Sequence, residues 1–395
     1  MISLPPLFKR IKRHIIGRDH IFFAATPPGF ERLCLQELLK LRPVAAKARA
    51  TTGGVEFEGR LEAVYRANLN LRSANRILMR VRTFKATHFR QLEAILQGIP
   101  WELYLPHNSI LKVNATTKHC RLHHSGAIAE RLQKAIGMRL SALEAEPESG
   151  GIHSAVQTVY VRGLDDRFTV SLDSSGELLY RRGLKRHTGS APLRETLAAA
   201  ALLMAGYEGR VPVIDPMCGT GTFSLEAALM AKHIPPGWFR DFAFTRWPSF
   251  LTRRWNYIRR QSESGFKRFE QPLIFASDKD DGACRKLKNC AQLHDLTDAV
   301  LIQQKDFFDL DPGELTDQSG VICLNPPYGR RLGGRRQSEE LFAAICDKLQ
   351  QAYTGWKLVL FTPGKKLAGT VPIQAKPFPV VHGGLKLMLL IGKIK

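Results

Sequence analysis

The chain has 395 residues, enough for two or three domains, and its 44% hydrophobic content is enough for ordinary cores. Its 58 Lys and Arg against 36 Asp and Glu leave a net charge of +22, which points to a polyanionic partner such as nucleic acid. No stretch approaches the ~20 uninterrupted apolar residues of a membrane-spanning helix, and seven scattered cysteines without a C-x-x-C pair fit reduced thiols in the cytosol.

Residues 1–19 read as a basic extension. Lys9, Arg10, Lys12, Arg13 and Arg18 precede any acid, and there is no apolar signal-peptide core, so an arm or disordered tail is expected. From residue 20 the pattern predicts short mixed elements. Strands are expected over 21–25, 55–57, 110–115, 156–162 and 168–172, and helices over 29–41, 88–97 and 125–136. This fits an α+β module, divided into segments 20–80 and 81–172. Lys118-His-Cys-Arg-Leu-His-His124 lacks a second ligand pair at matching spacing, so no metal is expected. Lys118 and Arg121 are better read as an electropositive, RNA-facing loop.

Residues 173–190 read as a hairpin and linker. Asp173-Ser-Ser-Gly176 has the composition of a hairpin turn. The basic stretch after it contains Arg181, Arg182, Lys185 and Arg186, which are expected to contact the substrate backbone. Residues 191–395 then form an α/β domain. A short buried strand over 213–215 ends in Asp215, and Pro216, Cys218, Gly219, Thr220 and Gly221 lead into a helix over 223–232. A strand, glycine loop and helix bring backbone N–H groups close to a ligand. The full G-x-G-x-x-G spacing and the P-loop lysine are both missing, which disfavours a dinucleotide or nucleoside triphosphate.

Residues 232–271 read as an insertion rich in aromatics and arginine. Its tryptophans are expected to pack onto the core and its arginines to face RNA. The next strand ends in Asp278, placed to accept ribose hydroxyls, with Asp280 and Asp281 nearby. A strand over 300–303 precedes Asp306. An apolar run over 321–324 then stops at Asn325-Pro326-Pro327-Tyr328, where the prolines end the ladder at the strand's carboxyl edge. The Asn325 carbonyl and the rigid proline carbonyls can grip an exocyclic amine, and Tyr328 offers a flat face to its ring. Arg330 and Arg331 follow in a basic loop, and a strand over 357–362 and a closing hairpin complete the domain.

The loop at Asp215, followed by Leu225-Glu226 and the later Asn325-Pro-Pro-Tyr328, resembles the class I S-adenosylmethionine-dependent methyltransferases that modify amino groups. More narrowly, the chain is similar to bacterial large-subunit (23S) ribosomal RNA guanine-N2-methyltransferases that carry a THUMP RNA-binding domain. The similarity covers nearly everything after Asp19. It is also carried by Ile21-Phe-Phe-Ala-Ala-Thr-Pro-Pro-Gly-Phe-Glu31, Gly53-Gly-Val-Glu-Phe-Glu-Gly59 and Leu179-Tyr-Arg-Arg-Gly-Leu-Lys185.

The resemblance implies an α/β, Rossmann-like methyltransferase domain with a mixed sheet and a C-terminal antiparallel hairpin. An α+β ferredoxin-like/THUMP RNA-binding module precedes it. The implied cofactor is S-adenosylmethionine over residues 215–221, with its ribose at Asp278 and an acid at Asp306 against the adenine amino group. Helix capping is an equal reading of Asp306. The longest relatives fuse a second methyltransferase domain, whereas one set of motifs here leads us to expect a single activity. Asn-Pro-Pro-Tyr also occurs in DNA adenine-N6 enzymes and in enzymes that methylate a release-factor glutamine. A transfer-RNA guanine-N2 enzyme and a non-catalytic RNA-binding assembly factor are further alternatives.

Overall fold

In the computed structural model, residues 6–41, 47–141, 156–185, 193–327 and 335–395 are described. They divide into two compact units. One comprises residues up to Thr26, Cys34–Leu179 and Asp241–Arg259. The other comprises Pro27–Leu33, Tyr180–Arg240 and Arg260–Lys395.

The first unit is built on seven strands: β1 His20–Ala25, β2 Lys47–Thr51, β3 Gly54–Gly59, β4 Arg76–Lys85, β5 Ile110–Lys118, β6 Val156–Leu164 and β7 Arg167–Asp173. They form one sheet in the order β2-β3-β1-β4-β7-β6-β5. β4 runs straight through residue 80, with a bulge between Arg80 and Arg82, so the two segments expected from sequence share a sheet. The β6–β7 hairpin turns on Asp165 and Asp166, both at positive φ (50° and 59°). That is the backbone of a two-residue type I′ turn, in which Asp is tolerated.

Three expectations are corrected in this unit. Residues 6–16 are not a tail but are helical over Pro6–Ile11 and Lys12–Ile16. Ile11 and Ile15, four apart, are buried, and Arg10 pairs at 2.8 Å with Glu102, itself buried. The basic residues had masked this apolar stripe. Asp173-Ser-Ser-Gly176 is not a hairpin either, because among the described residues no strand follows it to pair with β7. Its carboxylate accepts from the Ser175 and Gly176 N–H groups and pairs with Arg76.

Third, the 232–271 stretch is divided, and Asp241–Arg259 packs with the first unit. Tyr65 explains this. Its ring stacks on Phe244 at 4.6 Å and meets the edge of Trp255, and its hydroxyl accepts from the Leu251 N–H. Trp247 and Trp255 are buried, as packing residues should be.

The second unit holds β8 Val213–Asp215, β9 Ile274–Asp278, β10 Val300–Gln304, β11 Val321–Leu324, β12 Lys357–Thr362, β13 Phe378–His382 and β14 Leu385–Lys393. The sheet order is β10-β9-β8-β11-β12-β14-β13. The first five strands are parallel and the last two are added antiparallel. This is the mixed, Rossmann-like sheet that the resemblance implied. Alternate residues feed two separate cores: Val321 and Cys323 enter one, Ile322 and Leu324 the other. Burial on both faces explains why β11 reads as an unbroken apolar run. After β8 the chain builds outward to β10 and returns to β11 on the other side, so β8 and β11 flank the switch point where ligands bind.

The Pro27–Leu33 segment belongs to this unit despite its place in the chain. Phe30 is 1% exposed in one of the two cores, its ring 5.2 Å from that of Phe378.

Candidate active site

At the carboxyl ends of β8, β9 and β11 lies a cleft of about 560 Å³, lined by Asp215, Cys218, Gly219, Thr222, Asp278, Asp306, Asn325 and neighbouring residues. That is an ordinary size for a small-molecule site (~300–1,000 Å³).

Asp215 ends β8 and is buried. Its Oδ2 accepts from the Ser224 N–H at 3.1 Å and from the Ser224 hydroxyl at 2.6 Å. Burial pushes its carboxyl up to about 7, against the lowering effect of those two bonds. The acid therefore ties the strand end to the helix Thr222–Ala231 that follows.

Gly219 and Gly221 both have positive φ, 53° and 76°. They serve different ends. A Cβ on Gly219 would meet nothing within 4 Å, and Gly219 lines the cleft. A Cβ on Gly221 would lie 2.3 Å from Leu287 Cδ1, and Gly221 is not among the lining residues. Gly221, expected as a cofactor contact, instead lets two helices approach.

Asp278 ends β9 and holds the loop in place. Its Oδ2 accepts from the Gly219 N–H at 2.8 Å and its Oδ1 from the Asp280 N–H at 2.9 Å. A carboxylate has about four acceptor positions, so capacity remains for hydroxyl donors. Asp280 caps the helix Asp281–Leu293 through the Gly282 N–H. Asp306 accepts from the Phe308 N–H at 3.0 Å, as a capping residue does, and it also lines the cleft. Phe307 is buried in the core, while Phe308 is 39% exposed and also lines the cleft.

The Cys218 thiol donates to the Gly219 carbonyl and lies beside Cys284. Its interaction with Cys284, and then burial, pushes its thiol well up, so it is a neutral packing group rather than a nucleophile. Pro216 and Thr220 also line the cleft.

Asn325 follows β11. Its Oδ1 is buried without a hydrogen-bond partner among the described residues. Leaving such an acceptor unpaired costs about 1–3 kcal/mol. A buried carbonyl on a cleft wall is thereby held ready for a ligand's N–H. Pro327 lines the cleft and Pro326 is buried. Tyr328, Arg186, Arg330 and Arg331 lie outside the described residues.

The remaining basic positions separate into two groups. Lys118 and Arg121 are exposed, with Arg121 3.6 Å from Asp166. Arg181 is exposed. Arg182 and Lys185, expected at an RNA surface, point inward. Arg182 is bound at 2.8 Å to Glu226, both side chains at most 2% exposed. The Lys185 side chain is 7% exposed, 3.6 Å from Glu195, and donates to Thr222 Oγ1 at 2.8 Å. A buried cation needs a buried partner, and Glu195 and Glu226 supply them. Sequence reasoning missed Thr222, Met217 and Leu341 in the cleft lining. Met217 sits inside the loop motif and Thr222 one residue beyond it, so both lay within reach of the sequence signal, whereas Leu341 lies far from any motif.

Among the described residues no group of His, Cys, Asp or Glu could hold a metal ion, and no helix is long and apolar enough to cross a membrane.

Comparison with known proteins places this geometry. Residues 182–382 match the model of the RMKL-like methyltransferase domain, and residues 21–78 match that of the RlmL ferredoxin-like domain. A Synechocystis protein named "Putative RNA methyltransferase slr0064" is 33% identical over 93% of this chain and 95% of its own length. The Ribosomal RNA large subunit methyltransferase K/L of Syntrophotalea carbinolica is also 33% identical over 93% of this chain, but this chain spans only 53% of that relative. The crystal structure of SMU.472, described as a putative methyltransferase and complexed with SAH, superposes with a TM-score of 0.83 at 27% identity, over 96% of this chain and 99% of that one. The chain belongs to the RMKL-like methyltransferase family and is an S-adenosylmethionine-dependent methyltransferase.

Proposed function

We propose that this protein methylates the exocyclic N2 amine of a guanine in RNA, with large-subunit ribosomal RNA as the substrate. The observation that carries the reading is Asn325 Oδ1, a buried acceptor at the cleft wall without a partner among the described residues. An amine N–H is the donor it lacks. The net charge of +22 supports a phosphate-rich substrate. Relatives named for RNA and for large-subunit ribosomal RNA support it further. Guanine itself rests on the family resemblance. We assign residues 81–172 as the THUMP RNA-binding segment and Lys118, Arg121 and Arg181 as backbone contacts.

When bound, S-adenosylmethionine supplies an electrophilic methyl group on a sulfonium. Asp278 accepts ribose hydroxyls and Asp306 the adenine amino group, while residues 215–220 form the bed. The target base leaves its stack, as base-modifying enzymes require. Asn325 and the Pro326 carbonyl accept from its amine and hold the nitrogen lone pair toward the methyl. Pro327 and Tyr328 pack on the ring. Positioning and fixed dipoles supply most of the acceleration. No strong base is needed, because the proton leaves after the nitrogen has been alkylated.

The reading is tested by incubating purified protein with methyl-labelled S-adenosylmethionine and unmodified ribosomal RNA, transfer RNA or duplex DNA, then digesting to nucleosides. Label in N2-methylguanosine from ribosomal RNA is expected. Label only in transfer RNA or in N6-methyladenine would replace the proposal.

A further inference from the structure

The inward turn of Lys185 gives that residue a use. Its Nζ donates to Thr222 Oγ1 at 2.8 Å. An ammonium has only donors, so Thr222 is the acceptor in this bond and its own O–H is left to donate elsewhere. Thr222 is 6% exposed and lines the cleft, and its O–H has no acceptor among the described residues. Beside it the helix Thr222–Ala231 begins. Gly221 provides no side-chain cap there, and of the helix's first N–H groups Asp215 accepts from that of Ser224.

The charge around the cleft argues in the same direction. Asp278 and Asp306 line it, and each disfavours an anion nearby. The methyl donor has one anionic group, the carboxylate of its amino-acid end, and that group needs a corner of donors. Lys279 and Lys286 also line the cleft, but as exposed side chains in water. Lys185 is the buried cation, with Glu195 on its other side and Thr222 between it and the cleft.

We propose that Lys185 is a positioning residue that fixes Thr222 as a hydroxyl donor to the carboxylate of the methyl donor. The inference rests on the reading of the cleft as the S-adenosylmethionine site. Lys185 acts through Thr222 and touches no ligand itself.

The test compares calorimetric affinities of the full chain for S-adenosylmethionine and for its decarboxylated analogue. Thr222→Val and Lys185→Met should weaken S-adenosylmethionine roughly ten- to a hundredfold, the range for a hydrogen bond to a charged group. Both should leave the decarboxylated analogue within about twofold of the unmodified protein, while Thr222→Ser, which keeps the hydroxyl, should retain S-adenosylmethionine binding. Equal weakening of both ligands would mean a merely structural role and would overturn the proposal, as would no weakening of either. Failure of the unmodified protein to bind either ligand would instead remove the reading of the cleft itself.

Discussion

Asn325 is the residue on which the chemistry turns. A carbonyl at the end of β11 that is unpaired among the described residues is destabilising by itself and suited to a ligand. Asn325→Ala should lower the turnover number roughly a hundred- to a thousandfold, the scale seen when a positioned polar group is removed. RNA affinity, measured by filter binding, should change little. Asp215 makes a pH prediction. Its carboxyl titrates near 3.8 ordinarily and at about 7 in the fold. Between those values the folded protein holds a proton that the unfolded chain releases. Stability from this group is therefore full below about pH 4 and is lost as pH rises through about 7. Asp215→Asn should flatten that slope, seen as urea midpoints at pH 5 and pH 8 that move closer together. At this scale the sequence was informative where a residue sits in a motif. Asp215, Asp278 and Asn325 were legible because each follows an apolar strand. Arg182 and Lys185 misled, because their burial depends on Glu226 and Glu195, acids from other elements that a basic run does not announce.

The glycine loop and the helix after it form the element that sets the cleft's floor. Gly221→Ala adds a positive-φ strain to a methyl lodged against Leu287, 2.3 Å from Cδ1. A loss of about 2–4 kcal/mol is expected, measurable by denaturant unfolding. Gly219→Ala meets no atom within 4 Å and should lose only the backbone term, about 1–2 kcal/mol. A similar argument applies to the loop after β1. Phe30 is buried in a core of the second unit against Phe378, so Phe30→Ala should destabilise that unit by roughly 3–5 kcal/mol. The strands of the methyltransferase sheet could be placed within a residue or two from their apolar runs. β2, Lys47–Thr51, could not, because Lys-Ala-Arg-Ala-Thr on an edge carries no apolar signal. The insertion of Pro27–Leu33 into a distant core was equally hidden, since local periodicity does not report which core a phenylalanine enters.

For the whole molecule the dominant quantity is charge. A net +22 on 395 residues means that RNA binding should release counterions. Affinity for ribosomal RNA should therefore fall about 10³–10⁵-fold between 50 and 200 mM salt if six to ten phosphates are contacted. A flat salt dependence would argue against a backbone-reading surface. The most direct test of the central claim is mass spectrometry of large-subunit ribosomal RNA from cells lacking this protein, complemented with the unaltered chain or with Asn325→Ala. One N2-methylguanosine should disappear, return with the unaltered chain and fail to return with the variant. An unchanged set of methylated guanines, or full restoration by Asn325→Ala, would contradict that claim.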